Sequence, residues 1–423
     1  MTPMTPNRLQ SIKQQIAAMP LAGWTAGGFL LGYICFFLVP VFFSANVMLF
    51  FQQAPALDPI GVDLRQMLSY SHAWWVQHQS PYIGFNLYPP LASMLFTPLL
   101  ALDFPLAYKL VTLISLVCFI ASTILLADSA GRKTPASPLL VLFLTSGLFS
   151  YGFQFEIERG QFNLLAMFLC WLAVWLFHHQ PGRRLWAYAL FSLSVQLKVF
   201  PFIFILLLVD DWRDWKGILR RFAWLALVNF CLLFILGGRV FIDFLRALAS
   251  QTLYPAIWQG NHSIRCFVTQ LVDFAVEQGW TQVANYASAA QLFLLACLGI
   301  CLLLIIWHAF RQNRAGINPH LLLACTLGAL LIPSVSHDYK LSILIPPVVG
   351  LFVHESRLEG VQQYPAVRLL YGVFALVYSS TLFSYSFKPP FLQNNFPALL
   401  VLLILTTILS GISKQTTNET RGQ

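Results

Sequence analysis

Long apolar runs dominate the chain. They fall at roughly 22–43, 106–127, 137–153, 160–178, 185–209, 217–236, 289–309, 319–333, 340–353, 366–386 and 395–412. The runs are continuous, without the strict alternation of a half-buried strand. A helix needs about 20 such residues to cross the hydrocarbon core of a bilayer. The pattern predicts an all-α polytopic membrane protein. Several runs fall short of that length, and short helices are tolerated where they end against a protein-lined cavity. The run 185–209 carries Lys198 and Pro201 near its middle. A lysine at the bilayer centre costs at least about 2.5 kcal/mol. The sequence therefore predicts two short helices there, turning at Gln196-Leu197-Lys198-Val199-Phe200-Pro201, and about twelve transmembrane helices in all.

Charge between the runs gives the orientation. Arg132 and Lys133, Arg183 and Arg184, Arg213 to Arg221, and Arg311 with Arg314 share one side with both termini. Basic loops mark the cytoplasmic side. The expected organisation is a cytoplasmic N-terminal segment 1–21, a single transmembrane domain 22–412 and a cytoplasmic C-terminal tail 413–423. The basic start precedes the first run with no small-residue cleavage site, so no cleaved leader is expected. Two longer loops, 44–105 and about 237–288, face the other side. The first holds Gly61-Val62-Asp63-Leu64-Arg65, an aromatic stretch through Trp74 and Trp75, and Tyr88-Pro89-Pro90-Leu91 with an apolar run to Leu102. The stretch and the run read as interfacial helices anchored by tryptophan.

Composition narrows the class. The hydrophobic fraction is 58% and the charged fraction 10%, against about 25% in soluble domains. A soluble multidomain enzyme, a disordered chain and a collagen-like repeat are excluded. The net charge is 25 − 16 = +9. Its basic residues sit in short loops, which points to topology and lipid headgroups and not to nucleic acid. Eight cysteines lie mostly inside the runs without a CxxC pair, and read as small buried hydrophobes. There is no HExxH, no Cys/His ligand spacing, no phosphate-binding loop and no GxGxxG, so neither metal nor cofactor is expected.

The polar residues near the outer helix ends are the candidate chemistry. They are Asp63; Glu156, Glu158, Arg159, Gln161 and Asn163; Lys198; Asn261, His262, Ser263 and Arg265; and His337, Asp338 and Lys340. One topology puts all five groups on the same side, and ionisable residues near a membrane core usually mark function. Each also has a plainer role. Asp63 could favour a helix N-terminus, with Asp58 as a competitor. Lys198 could snorkel to headgroups, Arg265 could bind lipid phosphate, Asn261-His262-Ser263 is also a glycosylation sequon, and His337 could be an interfacial histidine. Taken together, Asp63 could accept a proton from an acceptor hydroxyl. Lys198 and Arg265 could hold a phosphate as negative charge grows on it. That chemistry is sugar transfer from a lipid phosphate, whose donor arrives already activated.

The series Asp63-Leu64, Ala73, Pro81-Tyr82, Tyr88-Pro89-Pro90-Leu91, Arg159-Gly160-Gln161-Phe162-Asn163, Lys198-Val199-Phe200-Pro201 and Asn261-His262-Ser263 resembles glycosyltransferase family 87 over roughly 20–410. The resemblance implies a GT-C fold in a membrane, with the site on the extracytoplasmic face. It implies a polyprenyl-phosphate-linked sugar donor, usually mannose, and a glycolipid or glycan acceptor. It also implies a single inverting displacement without a tightly bound metal. By the same resemblance Asp63 is the general base and His337 a second catalytic residue. Lys198 and Arg265 bind the donor phosphate. Tyr88, Arg159, Gln161, Asn163, Asn261 and Asp338 position sugar and acceptor. The family often has Ser-x-x-Trp-x-His-His where this chain has Ser334-Val335-Ser336-His337-Asp338-Tyr339. The implied location is a bacterial inner membrane. The competing class, a transporter or flippase of lipid-linked sugars, would show paired repeats with broken helices in both halves. The chain shows one broken helix and no repeat.

Overall fold

The computed structural model describes residues 19–43, 60–84, 86–129, 138–254, 256–313, 316–356, 364–383 and 393–421, without the side chains of 413–421. Its described residues form helices and no strand, apart from one isolated antiparallel bridge between Asn261 and His337. In chain order the main helices are α1 (Leu21–Tyr33), α2 (Val62–Trp75), α3 (Phe104–Ser129), α4 (Pro138–Leu148), α5 (Tyr151–Arg159), α6 (Asn163–His179), α7 (Arg184–Leu197) and α8 (Trp215–Leu232). They continue as α9 (Gly238–Leu253), α10 (Ile264–Glu277), α11 (Ala287–Gln312), α12 (Pro319–Leu331), α13 (Ile345–Glu355), α14 (Pro365–Ser380) and α15 (Phe396–Arg421). Asp58, Arg132, Lys133 and Arg314 lie outside the described residues.

Burial separates an inner from an outer set. Residues His320 to Leu331 of α12 are all buried, as is nearly all of α13. By contrast α11 turns Leu292, Phe293, Ile300 and Leu303 outward. An apolar helix with an exposed apolar face is what a lipid surround requires. Close packing uses small residues: α1 lies on α14 so tightly that a Cβ at Gly28 would collide with the Gly372 carbonyl.

The apolar segments form helices of two lengths. Among the described residues, Leu21–Phe42, Phe104–Ser129 and Thr281–Gln312 are long and apolar enough to cross a membrane. A fourth span results if α4 and α5, bent by 47°, are counted as one. The other apolar segments are divided by local backbone. The first part of 340–353 is a 3-10 helix, Asp338–Leu344. The run 185–209 breaks as expected: α7 ends at Leu197, Lys198 is extended (φ −147°, ψ 135°), and a 3-10 helix follows over Phe200–Leu207. Pro201 suits the first turn of that helix, where its missing N–H is not needed. Helix α15 runs on to Arg421, through the segment expected as a cytoplasmic tail. Once a helix has been nucleated, extension costs little per residue.

The two ends of the bundle carry different chemistry. Helix α6 begins beside Gln161 and ends at His178 and His179, about 25 Å away at 1.5 Å per residue. At that far end Asp210 pairs with Arg184 at 2.6 Å and with Arg221 at 3.1 Å. Asn313 bonds Asp211 and the Trp212 N–H there, both at 2.9 Å. Helix α7 runs back from Arg184 to Lys198. The basic loops and the Asp63–Lys198 group therefore sit at opposite ends of the same two helices.

Candidate active site

Two left-handed glycines set the base of the site. Gly61 (φ +73°) precedes α2 and puts Asp63 in its first turn. Gly160 (φ +65°) ends α5 and turns the chain into Gln161. The turns meet: the Gly61 N–H donates to the Glu158 carbonyl at 2.8 Å. Both abut Tyr108 of α3, whose hydroxyl donates to the Ile157 carbonyl at 2.9 Å. A Cβ at Gly61 would lie 2.8 Å from the Tyr108 ring, and one at Gly160 would lie 2.9 Å from the Leu64 Cβ. Neither position admits a side chain without displacement, so glycine is required by space as well as by φ.

On this base Gln161 joins an acid to a cation. Its Nε2 donates to Asp63 Oδ2 at 2.5 Å, and its Oε1 accepts from Lys198 Nζ at 2.8 Å. Gln161 is buried, Lys198 is 8% exposed, and the Asp63 side chain is 15% exposed. Arg159 reaches the other Asp63 oxygen at 3.7 Å. The Lys198 ammonium lies 4.3 Å from the Tyr88 ring centroid and 4.4 Å from that of Phe162. Aromatic faces attract a cation without neutralising it. Burial pushes the Tyr88 phenol up, and Asp63 adds to this.

Glu156 lies behind this group, fully buried. Its carboxylate accepts from Asn163 Nδ2 at 2.9 Å, the Leu164 N–H at 3.1 Å and Ser342 Oγ at 3.1 Å. Its carbonyl accepts the Gln161 N–H at 3.0 Å. Glu156 thus satisfies part of the N-terminus of α6 and ties it to the Asp338–Leu344 turn.

A second group is built from the late loops. His262 and Asp338 are fully buried, with His262 Nε2 2.6 Å from Asp338 Oδ1. His262 Nδ1 lies 3.2 Å from the Asn395 N–H and 3.3 Å from Asn394 Oδ1, and its Nε2 donates to Asp338. The Trp258 indole N–H donates to His337 Nδ1 at 3.0 Å. His337 is half-buried and faces Tyr339, ring centroids 5.5 Å apart. Tyr339 packs on Phe155 at 5.8 Å, and the Arg159 guanidinium lies 5.2 Å from the Phe155 ring centroid. This aromatic row connects His337 to the Asp63 group. Burial lowers the His337 pKa to about 3, helped by Lys340, His262, Arg159 and Lys198.

Of the residues expected at the site, Asp63, Tyr88, Arg159, Gln161 and Lys198 come together, and His337 adjoins them. Asn163 stands behind the site on Glu156. Asn261 turns its amide to the main chain: it donates to the Ala256 and Ser334 carbonyls and accepts from the Ser263 and Ser336 N–H groups. Asp338 is held by His262. Arg265 goes elsewhere. Its guanidinium binds the Thr252 and Leu253 carbonyls, which end α9 and lack intrahelical partners. No described contact joins it to Asp63 or Lys198. Trp258 and Asn394 were not named from sequence, and His262 was named without a role; their partners are distant in sequence. No group of three or more His, Cys, Asp or Glu among the described residues could hold a metal ion.

A family model described as glycosyltransferase family 87 matches residues 86–334. A curated relative is the polyprenol-phosphate-mannose-dependent alpha-(1-2)-phosphatidylinositol mannoside mannosyltransferase of Mycobacterium tuberculosis (strain ATCC 25618 / H37Rv). It is 31% identical over 168 residues, 36% of this chain and 38% of the relative. The matched region thus spans well under half of that relative's length.

Proposed function

The chain belongs to glycosyltransferase family 87, and from that premise we propose that it transfers a sugar from a polyprenyl-phosphate donor to a lipid-linked or glycan acceptor. The sugar is mannose, the one named for the relative. The site faces the extracytoplasmic side of a bacterial inner membrane, with both termini cytoplasmic and a GT-C arrangement of spans. The location of the basic loops, at the far ends of α6 and α7, supports this orientation.

The observation that carries the reading is the Gln161 bridge. Its N–H donates to the Asp63 carboxylate as an acceptor hydroxyl would. Its carbonyl accepts from the Lys198 ammonium as a phosphate oxygen would. The amide marks the line from base to phosphate ligand. In the reaction, the acceptor oxygen attacks C1 of the sugar and loses its proton to Asp63. The bond from C1 to the phosphate oxygen breaks, and the configuration at C1 inverts. The electron pair leaves with polyprenyl phosphate, whose growing charge Lys198 stabilises. Arg159 holds the second Asp63 oxygen in place, and Tyr88 and Phe162 exclude water around the ammonium.

The test is Asp63→Asn, purified in detergent and given polyprenyl-phosphate-mannose with a total lipid extract as acceptor. Loss of a general base lowers the rate by about 10²–10⁴-fold, read as free polyprenyl phosphate. A rate near wild type would remove Asp63 from the mechanism.

A further inference from the structure

We infer that Trp258 fixes His337 as the neutral imidazole with its proton on Nε2, so that His337 serves transfer as a hydrogen-bond donor and not as a base or a cation. This rests on the proposed function only for the word transfer; the tautomer stands on geometry.

An indole N–H can only donate. Trp258 Nε1 lies 3.0 Å from His337 Nδ1, so Nδ1 presents its lone pair and the one remaining ring proton sits on Nε2. The backbone holds that ring in place. His337 bridges Asn261, and its carbonyl accepts the Lys340 N–H at 2.8 Å. Trp258 and His337 are also in ring contact, centroids 5.3 Å apart. The charged and titratable groups facing His337 are Lys340, His262 with its partner Asp338, Arg159, Lys198 and Tyr339. Cations outnumber anions in that set, which opposes a second proton on the ring and agrees with its lowered pKa. No described residue accepts from Nε2. A phosphate oxygen or a sugar oxygen is the matching partner, each an acceptor that gains from a neutral donor and requires no proton exchange. Trp258 is the positioning residue, since it acts only through His337.

The assignment is read without turnover, from ¹⁵N spectra of histidine-labelled protein in detergent. His337 is identified by the signals lost in His337→Gln. Expected is an unprotonated Nδ1 and a protonated Nε2 from pH 8 to pH 5. In Trp258→Phe, Nδ1 loses its donor, and the single ring proton should be shared between Nδ1 and Nε2. A proton on Nδ1 in the wild type, or a proton still confined to Nε2 in Trp258→Phe, overturns the proposal even in an active enzyme. Turnover supplies the second arm. Gln places an amide N–H near Nε2 and does not titrate, so His337→Gln should stay within about tenfold of wild type, whereas His337→Ala should fall by about 100-fold. Equal loss in both would overturn the donor role. A wild type that releases no polyprenyl phosphate would refute the proposed function instead, and would leave the spectral result standing.

Discussion

Lys198→Met separates holding the donor from catalysing its cleavage. Methionine is about as long as lysine, apolar, and suited to a space between two rings. The substitution removes a charge-assisted hydrogen bond to Gln161, worth about 1.5–3 kcal/mol net. It also removes two cation–ring contacts of about 0.5–2 kcal/mol each. Against this, a buried ammonium loses several kcal/mol of hydration, and the variant is spared that loss. Glu156 keeps its three donors. The ground-state effects nearly offset each other, so the melting temperature should stay within a few degrees. The transition state has no such compensation. A preorganised donor at a developing oxyanion is worth about 2.7–4 kcal/mol, or 10²–10³ in kcat. Initial rates over a range of polyprenyl-phosphate-mannose concentrations separate the two parameters. Expected is a fall in kcat of about 10²–10³ with KM raised by less than about tenfold. An unchanged kcat with a raised KM would show that Lys198 binds donor and transition state alike, and would refute the argument.

Gly160→Ala forces a left-handed residue at about 1–2 kcal/mol and drives a Cβ to within 2.9 Å of Leu64; a lower melting temperature and a loss of transfer are expected together, because the same turn carries Gln161. Arg265→Ala should leave kcat/KM within about twofold while destabilising the end of α9 by up to about 1 kcal/mol, which transfer rates and thermal melting would show. Burial pushes the Asp210 carboxyl up, but Arg221, its own backbone N–H and Arg184 outweigh this and hold its pKa below the ordinary 3.8. Its stabilisation is therefore complete above that value and is lost as pH falls below it; melting temperatures of wild type and Asp210→Asn should converge on acidification, and a gap constant with pH would contradict the ion-pair origin.

The site was legible where the membrane constrained the sequence. A bilayer sends charge to the two ends of a bundle, so Asp63, Arg159 and Lys198 could be placed on one side from run lengths and basic loops alone. The break at Lys198 was legible for the same reason, since neither the ammonium nor Pro201 suits mid-span. Gln161 was named, but its central place was not readable, because a neutral amide leaves no mark in hydropathy or charge. The contact of Arg265 with the end of α9 was not readable, because sequence does not say which carbonyls an adjacent helix end leaves open. The Trp258–His337 pair spans 79 residues of chain, and only tertiary packing brings them together. Where an apolar run yields to a 3-10 turn, as at Asp338–Leu344, was not readable from run length.

Tyr108 supports two turns from one ring. The turn before Asp63 and the turn before Gln161 rest on the same phenol edge, which α3 carries. Asp63 and Gln161 thus share one support, and a lesion at that single ring should displace both at once.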